Sequence, residues 1–177
     1  MSKLFEPGVF VVYCNRDVCK IADITTMRFD FQDERKYYVL SPVYDEKAQF
    51  YLPVDNTDNK LREPITKEEA NALIDEIPLL QPIEPVPGEK AMGRQAMAML
   101  YKEALRNGDA HERIRVLKTI YDSNQKRLSE GKKVLQSNAA IKESAEAAFF
   151  GEVAFALDIP CEDVCAYIES RLGDAEA

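Results

Sequence analysis

Four short runs of β-branched and aromatic residues crowd the first 54 positions, and nothing like them recurs afterwards. They are Val9-Phe10-Val11-Val12-Tyr13, Lys20-Ile21-Ala22-Asp23-Ile24, Lys36-Tyr37-Tyr38-Val39-Leu40 and Phe50-Tyr51-Leu52-Pro53-Val54. Runs this short, rich in Val, Ile and Tyr, read as strands. The intervening stretches are polar: Asn15-Arg16-Asp17, then residues 30–34, then residues 42–47. The first part of the chain therefore reads as a small bent β-barrel. One amphipathic helix follows. Thr66 and Glu69 have the spacing of a capping box, in which a hydroxyl and a carboxylate satisfy each other's backbone N–H. Ala70, Leu73, Ile74 and Ile77 then share a face, which predicts packing of the helix against the barrel.

Residues 78–88 read Pro-Leu-Leu-Gln-Pro-Ile-Glu-Pro-Val-Pro-Gly, with four prolines. Proline lacks the N–H that helices and central strands need, so the segment reads as an extended, stiff linker. The rest has helical periodicity. One helix is expected from Ala91 to Arg106, stopped by Asn107-Gly108. A second opens at the Asp109-x-x-Glu112 box and carries Ile114, Leu117, Ile120, Tyr121 and Leu128. A third starts at Asn138 and ends at Asp158-Ile159-Pro160. A fourth holds Val164, Ile168 and Leu172, with Gly173 as its stop. The fold class is α+β in two modules: a barrel domain over 1–77, a linker over 78–88 and an all-α bundle over 89–173.

The net charge is −8, unevenly spread. Residues 89–135 hold 11 basic and 6 acidic residues, whereas 136–177 hold 2 and 9. An acidic protein does not coat DNA through its overall charge, but a local basic patch can touch DNA once something else brings it there. Arg94, Lys102 and Arg106, then Arg115 and Lys118, are the candidates for that patch. Arg113, Lys126, Arg127, Lys132 and Lys133 extend the same block.

Enzyme chemistry has little footing. The one histidine, His111, sits in the first turn of a helix beside Asp109 and Glu112 and reads as solvated. The seven glycines form no phosphate-cradling loop. Cys14 and Cys19, and Cys161 and Cys165, lack zinc-site spacing and read as free thiols, with no metal or other cofactor. No apolar run is long enough to span a membrane, and the first residues lack a secretory pattern, so the cytoplasm is expected.

The order and wording of the first module resemble the RNA-polymerase-interacting domain of the CarD-like transcription regulators, shared with transcription-repair coupling factor. The matching pieces are Phe5 with Gly8, Val11-Val12-Tyr13, Lys20-Ile21 with Asp23-Ile24, Lys36 to Leu40, Leu52-Pro53-Val54 with Asn56, and Ile65 with Lys67 to Ala70. Further words continue it: Leu105 with Gly108-Asp109, Lys126 to Ser129, and Glu152 with Ala154 to Leu157. The resemblance implies a Tudor-like barrel that docks on the RNA polymerase β subunit through a strand edge. It implies a non-enzymatic regulator with no small-molecule substrate. It places Arg28 and Tyr51 at polymerase-contacting positions. It also implies that the helical module meets upstream promoter DNA. Relatives carry a tryptophan at the start of that module; this chain has none, and the place falls at or near Arg94. The alternative is a protein–protein adaptor that never touches DNA.

Overall fold

The computed structural model describes residues 4–29, 33–84, 93–107 and 109–176, and falls into two compact units, Met1–Ile65 and Thr66–Ala177. The first unit is an antiparallel sheet of β1 (Phe10–Tyr13), β2 (Asp17–Met27), β3 (Arg35–Pro42), β4 (Phe50–Pro53) and β5 (Leu61–Arg62). The spatial order is β4-β3-β2-β1-β5. The four expected runs are all strands. The closed barrel is not formed: the order has two ends, and β5 contributes only the pairs Val12 with Arg62 and Tyr13 with Leu61.

The buried face gathers Phe5, Val11, Cys19, Ile21, Tyr38, Leu40 and Leu52. A bulge between Ile21 and Asp23 sets which residues join them. Ile21 pairs with Leu40, and Ile24 pairs with Tyr38, so both isoleucines point inward although an odd number of steps separates them. One extra residue in a strand reverses its alternation, which a regular strand cannot do. At the first hairpin, Cys14 and Asn15 take positive φ of 50° and 55°. Asn15 Oδ1 accepts from Arg62 Nε at 3.1 Å and Nη2 at 2.9 Å, which fastens β5 to the turn.

The second unit holds α1 (Lys67–Glu76), α2 (Arg94–Asn107), α3 (Ala110–Ser129), α4 (Gln136–Leu157) and α5 (Val164–Glu176), with single 3-10 turns at Ile77–Leu79 and Cys161–Asp163. Both expected N-caps form. Thr66 and Glu69 make the reciprocal box, and Asp109 accepts from the Glu112 N–H. Asp158 ends α4 in the left-handed conformation. Gly173 does not end α5, which runs on to Glu176. A glycine weakens a helix by about 1 kcal/mol relative to alanine, and it stops one only where the chain also turns left-handed.

The largest correction concerns α1. The sequence joins it to the strands over 1–77, but it belongs to the second unit and packs on α4 and α5. Ala70, Leu73 and Ile74 are buried there, Tyr167 donates to Asn71 Oδ1 at 2.7 Å, and Arg171 donates twice to Asp75 at 2.7 Å. Helix α4 touches all four other helices, and buried residues occur around much of its circumference, so it is the core helix of the unit. Arg113 of α3 and Glu152 of α4 form a buried ion pair, Nη1 to Oε2 at 3.0 Å. No helix among the described residues is long and apolar enough to cross a membrane.

Candidate functional site

In the first unit, pairing register decides which side chains stay outside. On β3, Tyr38 and Leu40 are inward, so Tyr37 and Val39 are outward. Their partners share that face. Thr25 and Pro53 flank Tyr37, and Asp23 and Tyr51 flank Val39. Tyr51 is 43% exposed on the edge strand β4, and its hydroxyl donates to Gln49 Oε1 at 3.3 Å. Phe29, just past β2, is 46% exposed and stands edge-on to Tyr37 with ring centroids 5.3 Å apart. Large apolar side chains grouped on an outer face mark a binding surface more often than scattered ones do.

Arg28 is exposed one residue beyond the end of β2. Tyr51 lies opposite Val39, which lies opposite Asp23. Five residues of strand and two strand spacings then separate Arg28 from Tyr51, on the order of 20 Å. The two expected contact residues therefore do not converge. They stand towards different ends of one sheet, with Phe29 and Tyr37 near Arg28. Sequence reasoning missed Phe29 and Tyr37. The adjacent Tyr37-Tyr38 pair signals that one ring faces out, but only the register says which.

β4 has a neighbour on one side only, β3, so its other side is an open edge. Pro53 ends it and offers no N–H, which confines added pairing to the stretch before it. Beneath the face, burial above all pushes the Cys19 thiol up to about 12, with Asp17 adding to the effect. Burial also raises the Asp17 carboxyl, against the lowering influence of Arg16. All four cysteines are free. Among the described residues, no group of three or more His, Cys, Asp or Glu could hold a metal.

In the second unit, the basic candidates part company. Lys102 and Arg106 are exposed, one turn apart on α2. Arg94 opens α2, and its side chain lies outside the described residues. Arg115 and Lys118 are half-buried and have another task. Lys118 Nζ donates to the carbonyls of Ile77 at 3.1 Å, Pro78 at 3.2 Å and Leu80 at 2.7 Å. Those three bonds match the three protons of an ammonium, placed where a helix end leaves carbonyls unpaired. Arg115 Nε donates to Gln81 O at 3.1 Å, and its Nη1 meets Glu112 at 2.6 Å. The Ile83 N–H donates to Thr119 Oγ1 at 2.8 Å.

The described part of the expected linker, residues 78–84, is thus a strap bound along α3 rather than a free spacer; residues 85–88 lie outside the described residues. Proline-interrupted backbone leaves carbonyls without internal partners, and the basic side chains of α3 supply the donors. Arg113 is buried with Glu152. Lys126, Lys132 and Lys133 are exposed, roughly 24 Å along α3 and beyond from its start at Ala110. Among the described residues, the basic block is therefore not one continuous face. His111 is half-exposed at the start of α3, with Nε2 2.7 Å from Glu76 Oε2 at the end of α1.

Compared with known proteins, residues 5–65 match the family model described as the CarD-like/TRCF RID domain. No curated protein matches the chain.

Proposed function

Starting from an N-terminal unit that belongs to the CarD-like/TRCF RID domain family, we propose that this chain is a non-enzymatic bacterial transcription regulator that docks on RNA polymerase. The family match, which spans nearly the whole first unit, is the observation that carries the reading. We take the docking site to be the polymerase β subunit, the compartment to be the cytoplasm, and the sheet to be of the Tudor-like kind. The open edge of β4 and the exposed Tyr51 and Arg28 support this. A strand of the β subunit added to that edge gains backbone hydrogen bonds, while the outward side chains on alternate positions supply specificity.

For the second unit, one reading is contact with upstream promoter DNA through the basic set Arg94, Lys102, Arg106, Arg115 and Lys118, of which Lys102 and Arg106 are exposed. The adaptor reading, without DNA contact, is favoured by a specific observation. Arg115 and Lys118 are engaged with the 77–81 backbone, and a side chain so held offers little to phosphate.

The test is a titration of the full chain against a purified β-subunit fragment. Arg28→Glu and Tyr51→Ala are both at exposed sites and should each weaken binding about tenfold, which corresponds to about 1.4 kcal/mol. Unchanged affinity in both variants removes the assigned surface. In the promoter complex, the double variant Lys102→Ala/Arg106→Ala separates the two readings. A shortened lifetime with a reduced salt slope supports DNA contact, and no change supports the adaptor.

A further inference from the structure

The strap along α3 is attached mainly by polar contacts. None of residues 78–84 is buried, and Leu79 is 76% exposed. Ile83 adds an apolar anchor, half-buried against the cluster of Tyr101, Val116, Ile120 and Ile141. The strap is otherwise tied to α3 by hydrogen bonds: Lys118 to the Pro78 and Leu80 carbonyls, Arg115 to the Gln81 carbonyl, and the Ile83 N–H to Thr119. Each contributes about 0.5–1.5 kcal/mol net, because water takes its place when it opens. A segment with so little buried apolar surface lies at the low-stability end of a fold and opens ahead of the helices.

We propose that the strap is an autoinhibitory cover: it lifts from α3 when the phosphodiester backbone of duplex DNA takes its place on Lys118 and Arg115. The inference rests on the promoter-DNA reading of the second unit and adds its regulation. Lys118 carries the argument. Its three acceptors are neutral carbonyls, and among the described residues no carboxylate pairs with it, although the chain carries a net charge of −8. The strap therefore solvates this ammonium without neutralising it. A phosphate offers the same donors a charge–charge attraction that a carbonyl dipole lacks. Arg115 keeps Glu112 on Nη1, while its Nε is held by the Gln81 carbonyl that leaves with the strap.

Spacing suits the occupant. Arg115 and Lys118 stand three residues apart on α3, a rise of about 4.5 Å on one side of the helix. One strand of duplex DNA carries a phosphate about every 3.4 Å of axis, so neighbouring phosphates can meet the pair. The strap is also suited to leaving. Pro78 and Pro82 have no N–H, so lifting it strands few donors, and water meets the freed carbonyls. While the strap is down, both cations are engaged with backbone. An acidic chain then holds no DNA until a tethered complex raises the local DNA concentration.

The experiment titrates the full chain into a fluorescent DNA duplex at low salt. Ile83→Ser with Thr119→Val loosens the strap and leaves the side chains of Lys118 and Arg115 in place. This variant should bind the duplex about fivefold more tightly than the parent, and its salt slope should steepen by about 1.8 for two added phosphate contacts. Adding Lys118→Met should remove most of the gain in affinity and about half of the gain in slope. In the parent, the Ile83 amide should exchange with solvent about tenfold faster once DNA is bound, because its bond to Thr119 opens. Circular dichroism checks that each variant stays helical; should the loosened one not, the exchange measurement on the parent decides. An unchanged affinity in the loosened variant, a gain that survives Lys118→Met, or an Ile83 amide still protected under bound DNA overturns the cover. Release by polyglutamate but not by DNA overturns it too, and makes the occupant an acidic protein. Lys102→Ala/Arg106→Ala in the promoter complex tells the failures apart. A shortened lifetime, with no gain in the loosened variant, sinks the cover alone; no change in either sinks promoter-DNA contact with it.

Discussion

Removing the carboxylate of Glu152 should unfold the second unit far more easily than any surface change. Arg113 and Glu152 are both about 1% exposed, and their charged atoms meet at 3.0 Å between α3 and α4. A guanidinium stays protonated at any ordinary pH, so Arg113 cannot escape by losing its charge. Taking away one partner of a buried pair leaves the other desolvated, at a cost of about 3–5 kcal/mol. Glutamine keeps the shape and one hydrogen bond, so Glu152→Gln belongs at the lower end; alanine adds a cavity and belongs at the upper end. Native domains hold only about 5–15 kcal/mol in reserve, so the loss is a large share of it.

Every helix among the described residues lies in the second unit, so the helical dichroism signal reports on that unit. In urea, a slope of about 1.5 kcal/mol per molar turns a 3 kcal/mol loss into a midpoint shift of about 2 M. The double variant Arg113→Met/Glu152→Leu should fall nearer the parent than either single change, because it removes both charges together. A shift below about 0.5 M for Glu152→Gln, with slope unchanged, would refute the claim that the pair is a buried charge contact.

Two further outcomes follow from the titrating groups. Cys14 and Cys165 are exposed, whereas Cys19 is buried with its thiol raised to about 12, so a thiol reagent at pH 8 should label the first two quickly and Cys19 only after urea is added; rapid labelling of Cys19 in the folded protein, located by mass spectrometry, would contradict the placement of β2. The hydrogen bonds from Arg171 hold the Asp75 carboxyl below the usual carboxylate range. A depressed folded value means the contribution is present above the unfolded value near pH 4 and fades as pH falls through the folded one. Asp75→Asn should therefore be slightly less stable than the parent at pH 6, with the difference vanishing in acid and shrinking in salt, since the pair is half-exposed; a difference that persists at pH 2 would contradict the assignment.

Local features of this chain are written in short stretches of sequence. The runs at 9–13, 20–24, 36–40 and 50–54 carry strand-forming residues regardless of context, and all four are strands. Thr66 and Asp109 cap helices because a hydroxyl or carboxylate needs only the backbone three residues on. The family likeness of residues 5–65 is legible for the same reason, since it resides in ordered words. Whatever depends on partners distant in the chain was not legible. An apolar stripe on α1 says that the helix must be covered, but not that α4 and α5 cover it. The bulge after Ile21 brings both Ile21 and Ile24 of β2 to the buried face, and periodicity alone cannot locate a bulge. Charge behaves likewise. Arg113, Arg115 and Lys118 look alike in a basic run, yet one is buried against Glu152 and two are bound to a proline-broken backbone. A charged side chain takes its role from the dielectric and the acceptors around it, and tertiary packing alone supplies both.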